Sequence, residues 1–283
     1  MKITPKVILV TGASSGIGYD VAQTLAAQGH KVYAAARRVE LMEPLKASGV
    51  QVLRMDVTDE ASMVEGVETI LNREGRIDEL FNNAGYGYFG AVENVSMEEA
   101  HRQVEVNVFG LARLCQLVLP AMRRQGFGRI INTSSIAGKA VVSFGAWYNV
   151  TKYAVEALSD ALRIEVKPFG IDVVLIEPGP VKTDWGIIAA RHLKESSAGT
   201  PYEQQALPWA NAMRWSYESK LFSSPKVITR AVSHAVNSRH PHTRYCRGRG
   251  AYLTLFLHTM LPTRSWDGLM RQTSKLRIGS DEK

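Results

Sequence analysis

A doubly wound α/β fold, a parallel sheet with helices on both faces, is what this sequence predicts, and three observations carry the prediction. Short Val/Ile-rich runs alternate with longer amphipathic stretches as far as Thr183, the pattern of repeated strand–helix units around a parallel sheet. A glycine-rich turn, Thr11-Gly12-Ala13-Ser14-Ser15-Gly16-Ile17-Gly18, lies directly between the first such run and the first helical stretch. The 283 residues, 45% apolar and 22% charged, suffice for one large core, so residues 1–283 read as a single domain.

The elements follow in order. Residues 6–11 read as a buried strand and 17–28 as a helix, closed by Gly29 at its C-terminal end. Residues 31–36 form a second strand and 50–56 a third, ending in the polar Asp56-Val57-Thr58. A helix over 62–73 leads to a fourth strand at 77–82. Residues 97–125 carry a long helical pattern with Pro120 near its end, and 128–134 a fifth strand. A long helix over 146–167 precedes the sixth strand, 171–177. From 184 to 225 the chain is rich in Ser, Pro, Trp and Met without clear periodicity, which reads as an irregular lid or substrate loop. Residues 226–237 look helical again, and a seventh strand is expected near 243–246, although its sequence advertises one poorly. Within a C-terminal extension, 251–283, residues 254–276 read as one amphipathic helix.

Composition narrows the function classes. The net charge of +7 gathers beyond Lys226, where Arg230, Arg239, Arg244, Arg247, Arg249, Arg264, Arg271 and Arg277 face few acids. Such a bias could attract nucleic acid or an anionic membrane but better suits a solvated face or a subunit contact, and no nucleic-acid partner is expected. Cys115 and Cys246 fit neither a disulfide framework nor a metal cluster, so no metal is expected and a reduced, cytoplasmic setting is. The first strand begins almost at once, leaving no room for a signal peptide. No uncharged apolar run approaches the roughly 20 residues that span a bilayer, and membrane contact is not expected.

The glycine turn has a chemical reading. Gly12 lets the chain turn at the strand end, Gly16 removes a side chain where backbone must approach a pyrophosphate, and Gly18 allows close helix–strand packing. The helix beginning at Ile17 then offers free N–H groups, with Ser14 and Ser15 beside them, to the anion. An acid that would read a ribose 2′-hydroxyl is missing from the end of the second strand, where Ala36 is followed by Arg37 and Arg38. Guanidiniums grip a 2′-phosphate, so NADP(H) is favoured and NAD(H) is the alternative. Asp56 and Val57 either border the adenine or, for Asp56, cap the loop. Asn83, Ala84 and Gly85 close the fourth strand at the same rim, beside the ribose or simply in a turn.

At the other end, Tyr148 and Lys152 stand at i and i+4 on the long helix and so share a face. A phenol with a pKa of about 10 is a poor base at neutrality, and a neighbouring ammonium moves it toward the working pH. Ser135 ends the fifth strand thirteen residues earlier, where a hydroxyl points into the ligand crevice of such a sheet. Ser134 should face the opposite way. Asn107, a polar amide among apolar residues, needs partners and loosens its helix locally. The stiff turn Pro178-Gly179-Pro180-Val181-Lys182-Thr183 could hold the nicotinamide carboxamide.

Together these residues resemble the short-chain dehydrogenase/reductase family in its T-G-x-x-x-G-x-G, Y-x-x-x-K form, from about Lys6 to Thr183. The resemblance implies a seven-stranded Rossmann-type sheet, a homo-oligomer (dimer or tetramer) built on the long helices, and Asn107, Ser135, Tyr148 and Lys152 as the catalytic four. It further implies that Lys152 binds the nicotinamide ribose and that Asn107 holds a water feeding a proton relay. It places Asp56 at the adenine, Asn83 and Thr183 near the cofactor, Ala36 in the slot of the NAD-type acid, and Arg37 in the slot of NADP preference. The implied activity is hydride transfer between a dinucleotide and a small-molecule carbonyl or alcohol; a non-catalytic NADP(H) sensor or scaffold is the alternative. Hydroxysteroid- and retinol-dehydrogenase-type members look most similar. Trp185, Trp209, Met213, Trp215, Tyr217 and Phe222 crowd the expected lid, with Tyr86, Tyr88, Phe89 and Phe144 as a floor, and aromatic linings favour a hydrophobic substrate. Tyr86, Phe144 and Trp185, with Ser135 and Tyr148, are the expected substrate contacts.

Overall fold

The computed structural model describes residues 4–218 and 222–273. Seven parallel strands lie in the order β3-β2-β1-β4-β5-β6-β7. They are β1 (Val7–Thr11), β2 (Lys31–Ala36), β3 (Gln51–Arg54), β4 (Glu79–Asn82), β5 (Gly128–Thr133), β6 (Ile171–Pro178) and β7 (Arg244–Arg247). Val10 pairs with Ala34 on one side and Phe81 on the other. The order reverses between β1 and β4, so connections leave the sheet to opposite faces there and a crevice opens at the carboxyl ends.

Alternate residues serve opposite faces, as a period of two requires. Leu9, Leu80, Ile130 and Val173 pack under α2 (Glu60–Glu74), α4 (Gly110–Gln125) and α5 (Ala146–Val166). Ile8, Val10, Phe81, Ile131 and Val174 pack under α1 (Gly16–Ala27) and α8 (Lys226–Asn237). Both faces are covered, which is why these strands read as unbroken apolar runs rather than alternations.

Residues 97–125 wind as one helix in three parts: α3 (Met97–Val104), a π-wound turn (Glu105–Phe109), then α4. The Ser96 hydroxyl caps its start, accepting from the Glu99 N–H at 3.2 Å. This helix is long and apolar enough to span a membrane, but Leu111, Leu114, Cys115, Val118 and Met122 place it in the core.

Two expectations need correction. Residues 184–218 are not irregular: α6 (Asp184–Ser197) and α7 (Glu203–Glu218) form a packed helical pair. The buried positions of α6, 186, 189, 190, 193 and 197, have helical spacing, but most are Gly, Ala or Ser and give little hydrophobic signal. The pair needs them small, since a Cβ on Gly186 would sit 2.1 Å from the Tyr217 ring. The tail likewise is two helices, α9 (Ala251–Met260) and α10 (Thr263–Thr273), broken at Pro262; residues 274–276 lie outside the described residues. The poorly advertised β7 is present as an edge strand against β6. Its Arg244 is anchored by Asp160 at 2.6 Å, Glu177 at 3.0 Å and Glu156 at 3.2 Å.

Candidate active site

A crevice of about 1050 Å³ runs along the carboxyl rim, from Arg37 and Arg38 through the glycine turn to Tyr148 and the α6–α7 pair. Its first half is built from backbone. Gly12 and Gly16 have φ of +64° and +57°, the left-handed region that glycine reaches without strain. A Cβ on Gly12 would lie 2.8 Å from the Ala84 backbone, and one on Gly18 would lie 2.5 Å from the Gly12 carbonyl oxygen. Gly18 therefore supports the turn from beneath and does not line the crevice, whereas Ser14, Ser15, Gly16 and Ile17 do. Ser15, at the N-cap of α1, makes no side-chain capping bond, and the first turn holds no acid. The N–H groups and positive pole at that helix end fit a pyrophosphate.

The Thr11 hydroxyl ties this turn to β4, accepting from the N–H groups of Asn83 and Ala84 at 3.0 and 3.1 Å. The Asn83 amide donates back to the carbonyls of Thr11 and Gly12 at 3.3 and 3.4 Å. Asn83, Ala84 and Gly85 all line the crevice, but the Asn83 amide is spent bracing the glycine turn. Ala36 forms the wall beside Arg37 and Arg38, and the Arg38 guanidinium reaches the Ser14 hydroxyl at 3.2 Å. Asp56 caps its loop, accepting from the Thr58 N–H and hydroxyl at 3.0 and 2.8 Å. It also lines the crevice with Val57, 4.0 Å from Arg37.

The second half holds the reactive side chains. Ser135, Tyr148 and Lys152 line one stretch of wall together. The Lys152 ammonium donates to the Thr133 carbonyl at 2.8 Å and lies 5.8 Å from the centre of the Tyr148 ring. Burial pushes the Tyr148 phenol up to about 12, with the hydrogen-bonded Ser135 hydroxyl pulling it back down. Burial pushes Lys152 down to about 8, opposed by the negative charge of Glu156 one turn along α5. The Ser135 hydroxyl accepts from the Ala137 N–H at 3.1 Å and lies 3.4 Å from the Pro178 carbonyl. It caps the following turn and faces the crevice at once. Ser134 is buried against Gly138 and Glu156.

Asn107 stands in the π-wound turn and does not line the crevice. Its amide donates to the Tyr86 carbonyl at 2.8 Å and the Thr151 hydroxyl at 3.1 Å, and its oxygen accepts from the Tyr86 N–H at 3.0 Å. It joins the loop after β4 to α5. Pro178, Gly179, Val181 and Thr183 line the rim opposite.

Aromatic groups enclose the far end. Tyr148 packs 5.0 Å from Trp185 and 5.9 Å from Phe89, ring centre to ring centre. Trp209, Met213, Tyr217 and Phe222 complete the wall from α7 and beyond. Two of the expected aromatic side chains fall elsewhere. Phe144, held at a φ of 58°, packs behind Phe89 rather than lining the crevice. Trp215 is exposed on the outer side of α7. Tyr86 lines the crevice as expected, and its hydroxyl donates to Glu99 at 2.7 Å. Sequence reasoning placed Thr11 in the glycine turn without giving its hydroxyl a role, and missed Thr133, whose only signal is a threonine at a strand terminus. It also missed His192, stacked on Tyr88 at 4.6 Å.

Comparison with known proteins agrees with this geometry. The family model of short chain dehydrogenases matches residues 6–191. The chain is 36% identical over 265 residues to the probable short-chain type dehydrogenase/reductase VdlC of Helicobacter pylori, covering 93% of this chain and 96% of that protein. It is 43% identical over 192 residues to the 3-ketodihydrosphingosine reductase of Bacteroides thetaiotaomicron, covering 68% and 69%. With human retinol dehydrogenase 8 it shares 31% over 259 residues, covering 86% and 82%. Among solved structures, a short-chain dehydrogenase from Streptomyces avermitilis superposes with a TM-score of 0.78 at 31% identity, covering 98% and 99% of the two chains. An alcohol dehydrogenase of the archaeon Thermococcus sibiricus, complexed with 5-hydroxy-NADP, gives 0.69 at 29%, covering 87% and 97%. A Burkholderia phymatum short chain dehydrogenase/reductase in complex with NAD gives 0.76 at 26%, covering 91% and 94%. In sequence, topology and the order of its crevice residues, the chain belongs to the short-chain dehydrogenase/reductase family.

Proposed function

We propose that the protein is an NADP(H)-dependent oxidoreductase that interconverts a hydrophobic ketone or aldehyde and its alcohol. The observation that carries this reading is the convergence of Ser135, Tyr148 and Lys152 on one crevice wall, in line with a helix N-terminus built for a pyrophosphate. Ser14 to Ile17 would hold the pyrophosphate, Arg37 and Arg38 the 2′-phosphate, Asp56 and Val57 the adenine side, and Pro178 to Thr183 the nicotinamide side. Structures of similar fold carry NADP in some cases and NAD in others; Ala36 followed by two arginines favours the phosphorylated form here.

When bound, the cofactor supplies or accepts the hydride. The chain's own residues handle the substrate oxygen and its proton. A phenol held at about 12 stays protonated at neutral pH, so Tyr148 is an acid ready to protonate the oxygen of a carbonyl as it is reduced. Ser135 donates a hydrogen bond to the same oxygen and orients it. Lys152, at about 8, remains mostly an ammonium at neutral pH; its positive charge stabilises the phenolate that Tyr148 leaves behind and lets the reverse reaction recover the proton. Asn107 positions α5 through Thr151 and the Tyr86 loop. The α6–α7 pair acts as a lid, and its aromatic wall excludes water and suits an apolar substrate. Two relatives are named for reactions on molecules with long hydrocarbon chains, a ketodihydrosphingosine and a retinol, which supports that class. An exposed apolar stripe on α5 supports a homo-oligomer.

Tyr148→Phe keeps the ring and removes the proton. Its kcat should fall by about 100-fold or more, while the dissociation constant for NADPH, read by fluorescence, changes little. Near-normal turnover of the purified variant would remove Tyr148 from the mechanism; tight NADPH binding with no turnover by the wild type across steroids, retinoids and fatty aldehydes would favour a sensor. Arg37→Ala should weaken NADP(H) by about 10-fold to 100-fold and leave NAD(H) nearly unchanged. Equal loss for both would show that Arg37 does not read the 2′-phosphate.

A further inference from the structure

The C-terminal helices leave hydrocarbon facing outward. On α9, Tyr252, Leu253, Phe256 and Met260 are each at least 60% exposed. They stand at i, i+1, i+4 and i+8, so they form one face of the helix. The inner side is fixed to the fold. Ala251 closes on Gly179, where an added Cβ would meet the Ala251 Cβ at 2.9 Å, and His258 packs edge-on against Trp266 of α10 at 4.8 Å. These apolar residues are therefore held at the surface.

Cations flank this face along the chain: Arg247 and Arg249 precede α9 and Arg264 follows it, and residues 247–273 hold a single acid, Asp267. The Arg247 guanidinium donates to the Tyr252 hydroxyl at 2.7 Å, which sets a cation at the edge of the hydrocarbon. A second copy of the chain seated here by a two-fold axis would bring arginine against arginine. An anionic lipid surface takes both components at once, acyl chains against Leu253, Phe256 and Met260 and headgroups against the arginines. Ten residues make a helix of about 15 Å, too short to span a bilayer but suited to lie in its interface.

We propose that α9 docks the protein reversibly on an anionic membrane surface, apolar face inward, with Arg247, Arg249 and Arg264 at the headgroups. The face begins at Ala251 against the Pro178-Gly179 turn, which lines the crevice, so docking brings the rim of the site to the lipid from which an apolar substrate would enter. The docking itself rests on the surface alone and is independent of the catalytic reading.

The test is sedimentation of the full chain with phosphatidylcholine vesicles, with and without phosphatidylglycerol. Partition should be about 10-fold stronger on the anionic vesicles and should weaken at high salt. It should be lost in Leu253→Ser/Phe256→Ser and in Arg249→Glu/Arg264→Glu, both of which should keep the wild-type Tm and NADPH affinity. No partition, equal partition on both vesicle types, or wild-type partition by the serine pair would overturn the proposal. So would a smaller assembly for the serine pair in lipid-free solution, which would assign the face to a second copy of the chain.

Discussion

Lys152 is held where an ammonium is least comfortable, buried on α5 with its titration pushed down to about 8. In the unfolded chain it titrates near 10.4. Between those values the unfolded chain binds the proton more readily, so folding is progressively opposed as pH falls from above 10 toward 8, and the full penalty persists below. Lys152→Met should therefore raise stability at pH 7, by about 3 kcal/mol at most, and the gain should shrink to nothing as pH rises toward 10. Turnover should fall by about 100-fold or more in the same variant. Thermal melts of both proteins across that pH range are the check; a methionine variant less stable at pH 7 would mean that the bond to the Thr133 carbonyl outweighs desolvation. At this scale the sequence was informative where chemistry dictates spacing. Tyr148 and Lys152 must share a helix face, and Ser135 must end a strand, so all three could be read directly. Phe144 could not, because its direction is set by a left-handed backbone conformation that no local motif announces. The bonds of Asn107 and Asp56 depend on which loops the fold brings together, and spacing along the chain does not encode that.

At the scale of elements, one side chain fastens α8 to the sheet at the end remote from the crevice. Arg129 of β5 is 1% exposed and donates to the carbonyls of Ala235 and Val236 in the last turn of α8, where a cation also meets the negative pole of the helix. It pairs with Asp172 at 3.1 Å and Glu79 at 3.5 Å, and Lys6 holds Glu79 from the other side at 2.6 Å. Arg129→Met leaves those carbonyls and Glu79 short of partners in a dry site, and should cost about 3–5 kcal/mol in urea unfolding. Burial already pushes Glu79 up to about 7 against both cations. A carboxyl displaced upward in the folded state destabilises once it must ionise, so the loss should deepen as pH rises through neutrality. A loss below about 1 kcal/mol would show that Lys6 alone satisfies the pocket. Strands β1, β4, β5 and β6 were legible because their buried positions are filled largely by Val, Ile, Leu and Phe. The α6–α7 pair was not: Gly186, Ala189, Ala190, Ala206 and Ala210 are buried, but as small residues chosen for close approach they leave almost no periodic contrast. Pro262 is a stop signal that the continuous reading of the tail overlooked.

For the whole molecule, α5 sets the question of assembly because its two sides do different work. Tyr148, Lys152 and Glu156 occupy the buried side. The opposite side exposes Val150, Tyr153, Ala157, Ala161 and Ile164, spaced i, i+3, i+7, i+11 and i+14, an apolar stripe about 20 Å long. Ile164 alone is 74% exposed. A helix in a lone globular domain would turn charge outward there, and the small side chains at 157 and 161 allow a second helix to approach closely. A two-fold axis across this stripe would pair α5 with its own copy and stiffen, from behind, the helix that carries the acid and the ammonium. Ala157→Arg would place a guanidinium in the middle of that contact and should convert the proposed dimer or tetramer to a smaller species by light scattering. Its melting temperature should fall and lose the concentration dependence expected of the wild type, while NADPH affinity, set on the far side of the sheet's switch point, should hold. Loss of assembly together with a lower kcat would connect the stripe to the catalytic helix; a wild type that is monomeric at micromolar concentration would leave the stripe without the partner argued for it.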